Sequence, residues 1–245
     1  MTIHEGTGIC LPGAAQPRTE KIVGAILLTN DDGYDAPGLH ALAAGLSERG
    51  VLGVAAPTAA QSGVGHRVTT QDPIRVRPRG ADRYAVDGTP ADCVRLAVKQ
   101  LFAGLDWVVA GINPGANLGS DVYQSGTVAA AREAAILGVR SVAVSQYIAP
   151  DAVIDWAVTG ACALDVLDRL FSLPLASGHF WNVNLPSPLT AGPWPELVFC
   201  GLDPFPHRYV FRKDGNAYRY DGSIHERPRE PDKDVDVCFG GRIAA

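Results

Sequence analysis

Along the chain, short unbroken apolar runs alternate with stretches in which apolar residues return every three or four positions. Ile26-Leu27-Leu28 is the first such run, Val51 to Ala56, Trp107 to Ala110 and Val142 to Ser145 repeat the pattern, and Phe180 to Leu185 supplies a further strand. A run without polar alternation fits a strand covered on both faces, as in a parallel sheet. Helical spacing fills the intervals. Leu39, Leu42, Ala43 and Leu46 follow Asp35-Ala36-Pro37, with Pro at the first turn; Cys93, Leu96, Ala97, Gln100 and Leu101 follow Thr89-Pro90. An Ala-rich helix is predicted over Val128 to Leu137, stopped by Gly138, and another over residues 151–171. Strand and helix alternate throughout, which predicts an α/β fold with a mostly parallel sheet flanked by helices.

Two stretches break this rhythm. Residues 67–87 hold short β-prone pieces, at 67–70, 74–77 and 83–86, interrupted by Pro73, Pro78 and Gly80, and predict small antiparallel strands inserted between the main units. After Leu185, prolines cluster at positions 186, 188, 193, 195, 204 and 206, a hairpin is expected within Arg208 to Tyr220 around Asp214-Gly215, and a charged run spans Glu226 to Asp236. Such a segment buries itself poorly and is expected to pack on a neighbouring subunit. The expected organisation is a disordered extension over residues 1–24, a core over 25–202, and a hairpin-bearing oligomerisation extension over 203–245. The leader, with Gly6, Gly8, Pro12, Gly13 and Pro17, lacks the continuous apolar centre of a signal peptide, and a translation start near Ile22 or Val23 is an alternative.

Composition narrows the partners. A net charge of −5 argues against broad nucleic-acid or anionic-membrane binding, while leaving room for a local pocket for a small anion. Five scattered cysteines without C-x-x-C spacing point away from zinc and disulfides and toward the cytoplasm. No run of about 18 apolar residues is available for a membrane span.

The chemistry gathers where strands stop. Asp31 and Asp32 close the first run, and the carboxyl ends of strands are where open α/β sheets build sites. Two adjacent like charges in a crevice call for a cation or strong donors between them. The same residues also suit an ordinary Asp-Asp-Gly turn, and this stretch alone supports both readings. The second strand leads to a Gly- and Ser-rich loop with Ser62 and Gly63, the third to Gly111-Ile112-Asn113 and a loop through Asn117 to Gly119. Asp31, Asp32, Ser62 and Asn113 all offer oxygen, which matches Mg²⁺ or Mn²⁺ better than zinc or copper. Ser125-Gly126-Thr127 opens a helix, where free amides and the dipole favour a phosphate, although Ser125 or Thr127 would serve equally as a simple cap. His66, inside the Ser62 loop, is a lesser candidate, and Asp92 reads as a capping acid.

Taken in order, Asn30-Asp31-Asp32-Gly33 with Ala36-Pro37-Gly38, Gln61-Ser62-Gly63, Gly88-Thr89-Pro90-Ala91-Asp92-Cys93-Val94, Gly111-Ile112-Asn113 with Gly115-Ala116-Asn117-Leu118-Gly119, and Ser125-Gly126-Thr127-Val128 resemble the SurE (stationary-phase survival protein) family. The resemblance implies a Rossmann-like core and a metal-dependent phosphomonoesterase releasing phosphate from nucleoside 5′- or 3′-monophosphates, with short polyphosphate as a further substrate. It implies one Mg²⁺ or Mn²⁺ per subunit held by Asp31, Asp32, Ser62 and Asn113, with Asp31 and Asp32 catalytic. It places Gly63, Asn117, Ser125, Gly126 and Thr127 beside the phosphate, and implies a homodimer or homotetramer joined through the carboxyl-terminal segment. Two departures stand out: Gln124 occupies a place where the family usually has Tyr, and the ending Arg242-Ile243-Ala244-Ala245 differs from the family's usual last strand.

Rival readings use the same acids. An aspartyl-phosphate phosphatase usually spaces its two acids one residue apart, whereas these are adjacent. A receiver-like signalling module needs a phospho-accepting Asp and a Lys after later strands, where this chain has Asn113 and Ser145. A dinucleotide-binding domain lacks its G-x-G-x-x-G after the first strand.

Overall fold

The computed structural model describes residues 23–245. The expected extension at 1–24 therefore lies outside the described residues except for Val23 and Gly24, whose backbones bond Arg49 and Val51.

Nine strands form one sheet. They are β1 (Ala25–Thr29), β2 (Val51–Pro57), β3 (Val76–Pro78), β4 (Arg83–Val86), β5 (Trp107–Pro114), β6 (Arg140–Gln146), β7 (Trp181–Leu185), β8 (Leu197–Val198) and, after the hairpin strands β9 (Phe211–Asp214) and β10 (Ala217–Tyr220), β11 (Ile243–Ala244). Their spatial order is β3-β4-β2-β1-β5-β6-β7-β11-β8, with parallel pairing from β4 to β7. The chain leaves β1 toward β2 on one side and later returns to β5 on the other, so the topological switch falls at the carboxyl end of β1.

Helices cover both faces, which is why the runs of β1, β2 and β5 carry no polar alternation. On one face α1 (Pro37–Ser47) packs against α4 (Trp156–Phe171) over Ile26, Leu28, Val54, Trp107 and Val109. On the other, α2 (Pro90–Leu96) meets α3 (Gly126–Ile136) over Leu27, Ala55, Val108 and Ala110. Successive residues of β1 thus feed opposite cores, as the two-residue period of a strand demands. Gly38 is needed where α1 begins, because a Cβ there would collide with the Ile112 carbonyl at the end of β5.

Several expectations change. Residues 67–70 form no strand, because their backbone is committed to α2: the Thr69 amide donates to Asp92 Oδ1 at 2.8 Å and Thr89 Oγ1 donates to the Arg67 carbonyl at 2.7 Å. Asp92 closes a capping box with Thr89. Of the inserted pieces, only β3 runs antiparallel; β4 joins the main sheet parallel to β2. β5 continues to Pro114, with an irregular register against β6 between Ala110 and Asn113, where a loop was expected from Gly111. α4 begins at Trp156 rather than 151, capped by Asp155, whose Oδ1 accepts from the Ala157 and Val158 amides.

The carboxyl-terminal segment divides in two. The β9–β10 hairpin turns at Gly215-Asn216 and is exposed along both strands. The remainder returns to its own chain: α5 (Asp234–Phe239) buries Val235, Val237 and Cys238, and β11 is antiparallel to β7 and parallel to β8. Within the charged run expected to be poorly buried, Arg227 and Asp234 are buried instead. Asp234 accepts from the Gly119 and Asp203 amides, each at 2.7 Å. Arg227 donates through Nη1 to Asp121 Oδ2 at 2.8 Å and to the Leu118 carbonyl at 3.2 Å.

Candidate active site

The end of β1 supplies the two acids. Asn30 shapes the turn: its Nδ2 donates to the Gly33 carbonyl at 2.9 Å and its Oδ1 accepts from the Gly33 amide at 3.3 Å. Asp31 is buried and points at the start of α3, where Thr127 Oγ1 donates a short hydrogen bond to Asp31 Oδ1. Burial raises the Asp31 pKa, and the Thr127 hydroxyl and the Thr127 and Gly126 amides pull against that rise without cancelling it. Gly126 lies so close that a Cβ there would come within 2.8 Å of Asp31 Cβ and 2.9 Å of its Oδ2.

Asp32 is half-buried, and its Oδ2 has no hydrogen-bond partner among the described residues. Its pKa is pushed up to about 7, first by desolvation and second by the neighbouring Asp31 charge. A buried carboxylate oxygen without a donor is costly unless something positive completes it. The donor set fits a hard divalent ion on this ground.

β1 and β5 are adjacent and parallel, with Thr29 opposite Ala110, so the β5 end carrying Asn113 and the turn carrying Asp31 and Asp32 open on the same edge of the sheet. The Asn113 amide nitrogen donates to the Gly115 carbonyl at 2.6 Å, which leaves its Oδ1 as the group free to ligate. The loop after β2 reaches the same place: the Gln61 amide donates to the Asp31 carbonyl at 2.7 Å, and the Gly65 amide to the Gln124 carbonyl at 3.0 Å. Between these ties Ser62 and Gly63 are exposed, and Gly63 has the positive φ of 69° that its turn requires. Among the described residues no group of three or more His, Cys, Asp or Glu side chains is arranged to hold a metal, so two acids with neutral oxygens are the available set.

The start of α3 is more occupied than the phosphate expectation assumed. Ser125 Oγ accepts from the Val128 amide at 3.0 Å and acts as the cap, and Thr127 is committed to Asp31. Asn117 is buried by a network invisible in the motif itself. Its amide donates to Asn184 Oδ1 at 2.8 Å, its Nδ2 to Ser145 Oγ at 2.8 Å, and its carbonyl accepts from Asn182 and Asn184. The available signal was Asn182 and Asn184 alternating with apolar residues in β7.

Similarity to known proteins bears on this site directly. Residues 26–201 match the family described as Survival protein SurE. The chain belongs to the SurE family. A Synechocystis relative is 50% identical over 220 residues, covering 89% of this chain and 96% of the relative. The 5′-nucleotidase SurE of Paramagnetospirillum magneticum is 38% identical over 242 residues, covering 95% and 91%. The crystal structure of the SurE protein from Aquifex aeolicus superposes with a TM-score of 0.77 at 31% identity, covering 90% of this chain and 91% of that one. This SurE chain therefore has the family's α/β fold, and all the candidate residues fall inside the matched span. No helix among its described residues is long and apolar enough to cross a membrane.

Proposed function

We propose that the chain is a hydrolase that removes phosphate from nucleoside 5′- or 3′-monophosphates with one divalent cation, Mg²⁺ or Mn²⁺, and that short polyphosphate is a second substrate. The observation that carries the reading is Asp32 Oδ2, an uncompensated carboxylate oxygen beside the buried Asp31, in a chain related to 5′-nucleotidases. Asp31, Asp32, Ser62 and Asn113 would hold the ion. When bound, such an ion supplies Lewis-acid chemistry, neutralising phosphate charge and lowering the pKa of water.

The chain's own residues do the rest. Thr127 fixes the Asp31 carboxylate, so its orientation is set before substrate arrives. Asp32 keeps one oxygen unengaged by protein, which makes it the acid placed to meet both the ion and a proton leaving the attacking water. Gly63 offers its amide to phosphate oxygens, while the Gly126 and Thr127 amides face Asp31 and the Ser125 amide donates to the Asp121 carbonyl, so the α3 start contributes through its dipole, with Asn117 behind it. Little covalent work is needed, because phosphoryl transfer depends chiefly on positioning and charge stabilisation.

Assembly belongs to the same proposal. Phe211, Tyr218 and Tyr220 are exposed on the hairpin, with Tyr209 and Val210 next to it, and this apolar surface supports a homodimer or homotetramer formed through β9–β10. The scattered cysteines support a cytoplasmic location.

The test is phosphate release from a panel of nucleoside monophosphates and from tripolyphosphate, with chelator and then with Mg²⁺ or Mn²⁺ restored. Release that depends on the ion is expected. Equal release in chelator, or none with either ion, overturns the reading, and an acid-labile phosphoenzyme would move the assignment to an aspartyl-phosphate route.

A further inference from the structure

Glu133 is a charged residue on the Ala-rich helix α3, and it is 1% exposed. Its Oε1 accepts from Arg95 Nε at 2.6 Å, which already pairs the buried charge. Its Oε2 faces His66 Nε2 at 2.7 Å. His66 belongs to the loop that carries Ser62 and Gly63, and its Nδ1 lies 3.4 Å from Arg132 Nη1, while Arg132 Nη2 donates to the Val122 carbonyl at 2.6 Å. Gly126 abuts Asp31, and Glu133 follows seven residues later, almost two full turns. The two therefore share one stripe of α3, about 10 Å apart.

We propose that His66 and Glu133 are positioning residues: α3 acts as a ruler, holding the acids of β1 at its first turn and the Ser62 loop at its third. This assignment deepens the nucleotidase reading and rests on it for its kinetic consequence. The loop is tied to Asp31 through Gln61 and to Gln124 through Gly65, both by backbone, and just past it the Arg67 carbonyl accepts from Thr89 Oγ1. The His66 contact is the tie that a side chain of the loop itself makes to α3. A carboxylate needed only for its pairing with Arg95 would gain nothing from the loop. Its second oxygen links two elements that each bring a candidate ligand or phosphate contact to the crevice.

The experiment compares His66→Ala with His66→Gln, whose amide nitrogen still reaches the Glu133 carboxylate. Hydrogen exchange of the peptide spanning residues 58–66 is read without substrate or metal, and KM and half-saturating Mn²⁺ are read in the phosphate-release assay. Expected for His66→Ala are faster exchange of this peptide ahead of the core strands, a lower thermal midpoint because the buried Glu133 Oε2 loses its partner, and rises of about tenfold in KM and in the Mn²⁺ requirement, the size typical of removing an outer-shell support. His66→Gln should recover most of both. Unchanged exchange in His66→Ala, or a Gln variant as impaired as Ala, overturns the proposal. If the unaltered chain releases no phosphate, the nucleotidase reading fails separately, and exchange alone still decides whether His66 fixes the loop.

Discussion

Replacing Asp32 by Asn is expected to stabilise the metal-free protein while removing most of its activity. The folded chain holds Asp32 at a pKa of about 7 against an ordinary value of 3.8, mainly by desolvation and then by the Asp31 charge. At about 1.4 kcal/mol per tenfold change in proton affinity, that difference amounts to about 4 kcal/mol for a fully sequestered group. Asp32 is half-buried, so solvent screens it, and about 2 kcal/mol is the realistic gain. The sign follows from linkage. The folded state binds the Asp32 proton more tightly than the unfolded state, so the penalty is absent well below pH 3.8, grows as pH rises, and is complete above about 7. Urea unfolding in chelator should therefore show Asp32→Asn ahead of the unaltered chain by about 2 kcal/mol at pH 8.5 and by almost nothing at pH 3. Saturating Mn²⁺ should narrow or reverse the gap, because only the unaltered site gains a bound ion; at a hundredfold excess over Kd that gain is about 2.7 kcal/mol. A variant less stable than the unaltered chain at pH 8.5 without metal would refute the claim that Asp32 carries an uncompensated charge.

Other substitutions test separate parts of the site. Gly126→Ala forces a Cβ to within 2.8 Å of Asp31 Cβ and should lower kcat/KM about a hundredfold, with circular dichroism unchanged; near-normal turnover would mean that the Asp31 position is not critical. Ser62→Ala and Asn113→Ala should each raise the Mn²⁺ concentration for half-maximal activity by about tenfold or more, and a titration overlapping the unaltered protein would remove that residue from the ligand set. Replacing hairpin residues 211–220 by a short Gly-Ser link should convert the assembly to a monomer in light scattering while Mn²⁺ binding persists. An unaltered protein already monomeric at micromolar concentration would assign the hairpin another role.

What the sequence discloses depends on whether the signal is local. The fold was legible because β1, β2 and the start of β5 are unbroken apolar runs and α1 to α4 each show helical spacing, so Ile26 to Leu28 and Leu39 to Leu46 could be read independently. Asp31, Asp32 and Asn113 were legible because strand ends in such a sheet converge. Partners chosen across the fold were not. Nothing near Thr127 signals that its hydroxyl will bond Asp31, and nothing in a proline-rich, charged tail signals that Arg227 and Asp234 will bury themselves on the Leu118–Asp121 stretch. β8 and β11, two residues each, are too short for any periodicity and exist only through pairing. The loop at 67–70 shows the converse: β-prone residues give no strand when their amides and carbonyls are already claimed by a helix start.

The placement of β11 between β7 and β8 carries a consequence for how the molecule is made. β8 is joined to the sheet through β11 alone, yet the hairpin and α5 are synthesised between the two. At translation rates of about 5–20 residues per second, the open edge of β7 waits a few seconds for its neighbour while the crevice strands β1 and β5 are already paired. During that interval the edge of β7 presents unpaired amides and carbonyls, the kind of edge on which a strand from another copy can pair. Slowing elongation after Val198 should then raise the share of interlinked copies seen in gel filtration, and an unchanged share would remove this edge from assembly.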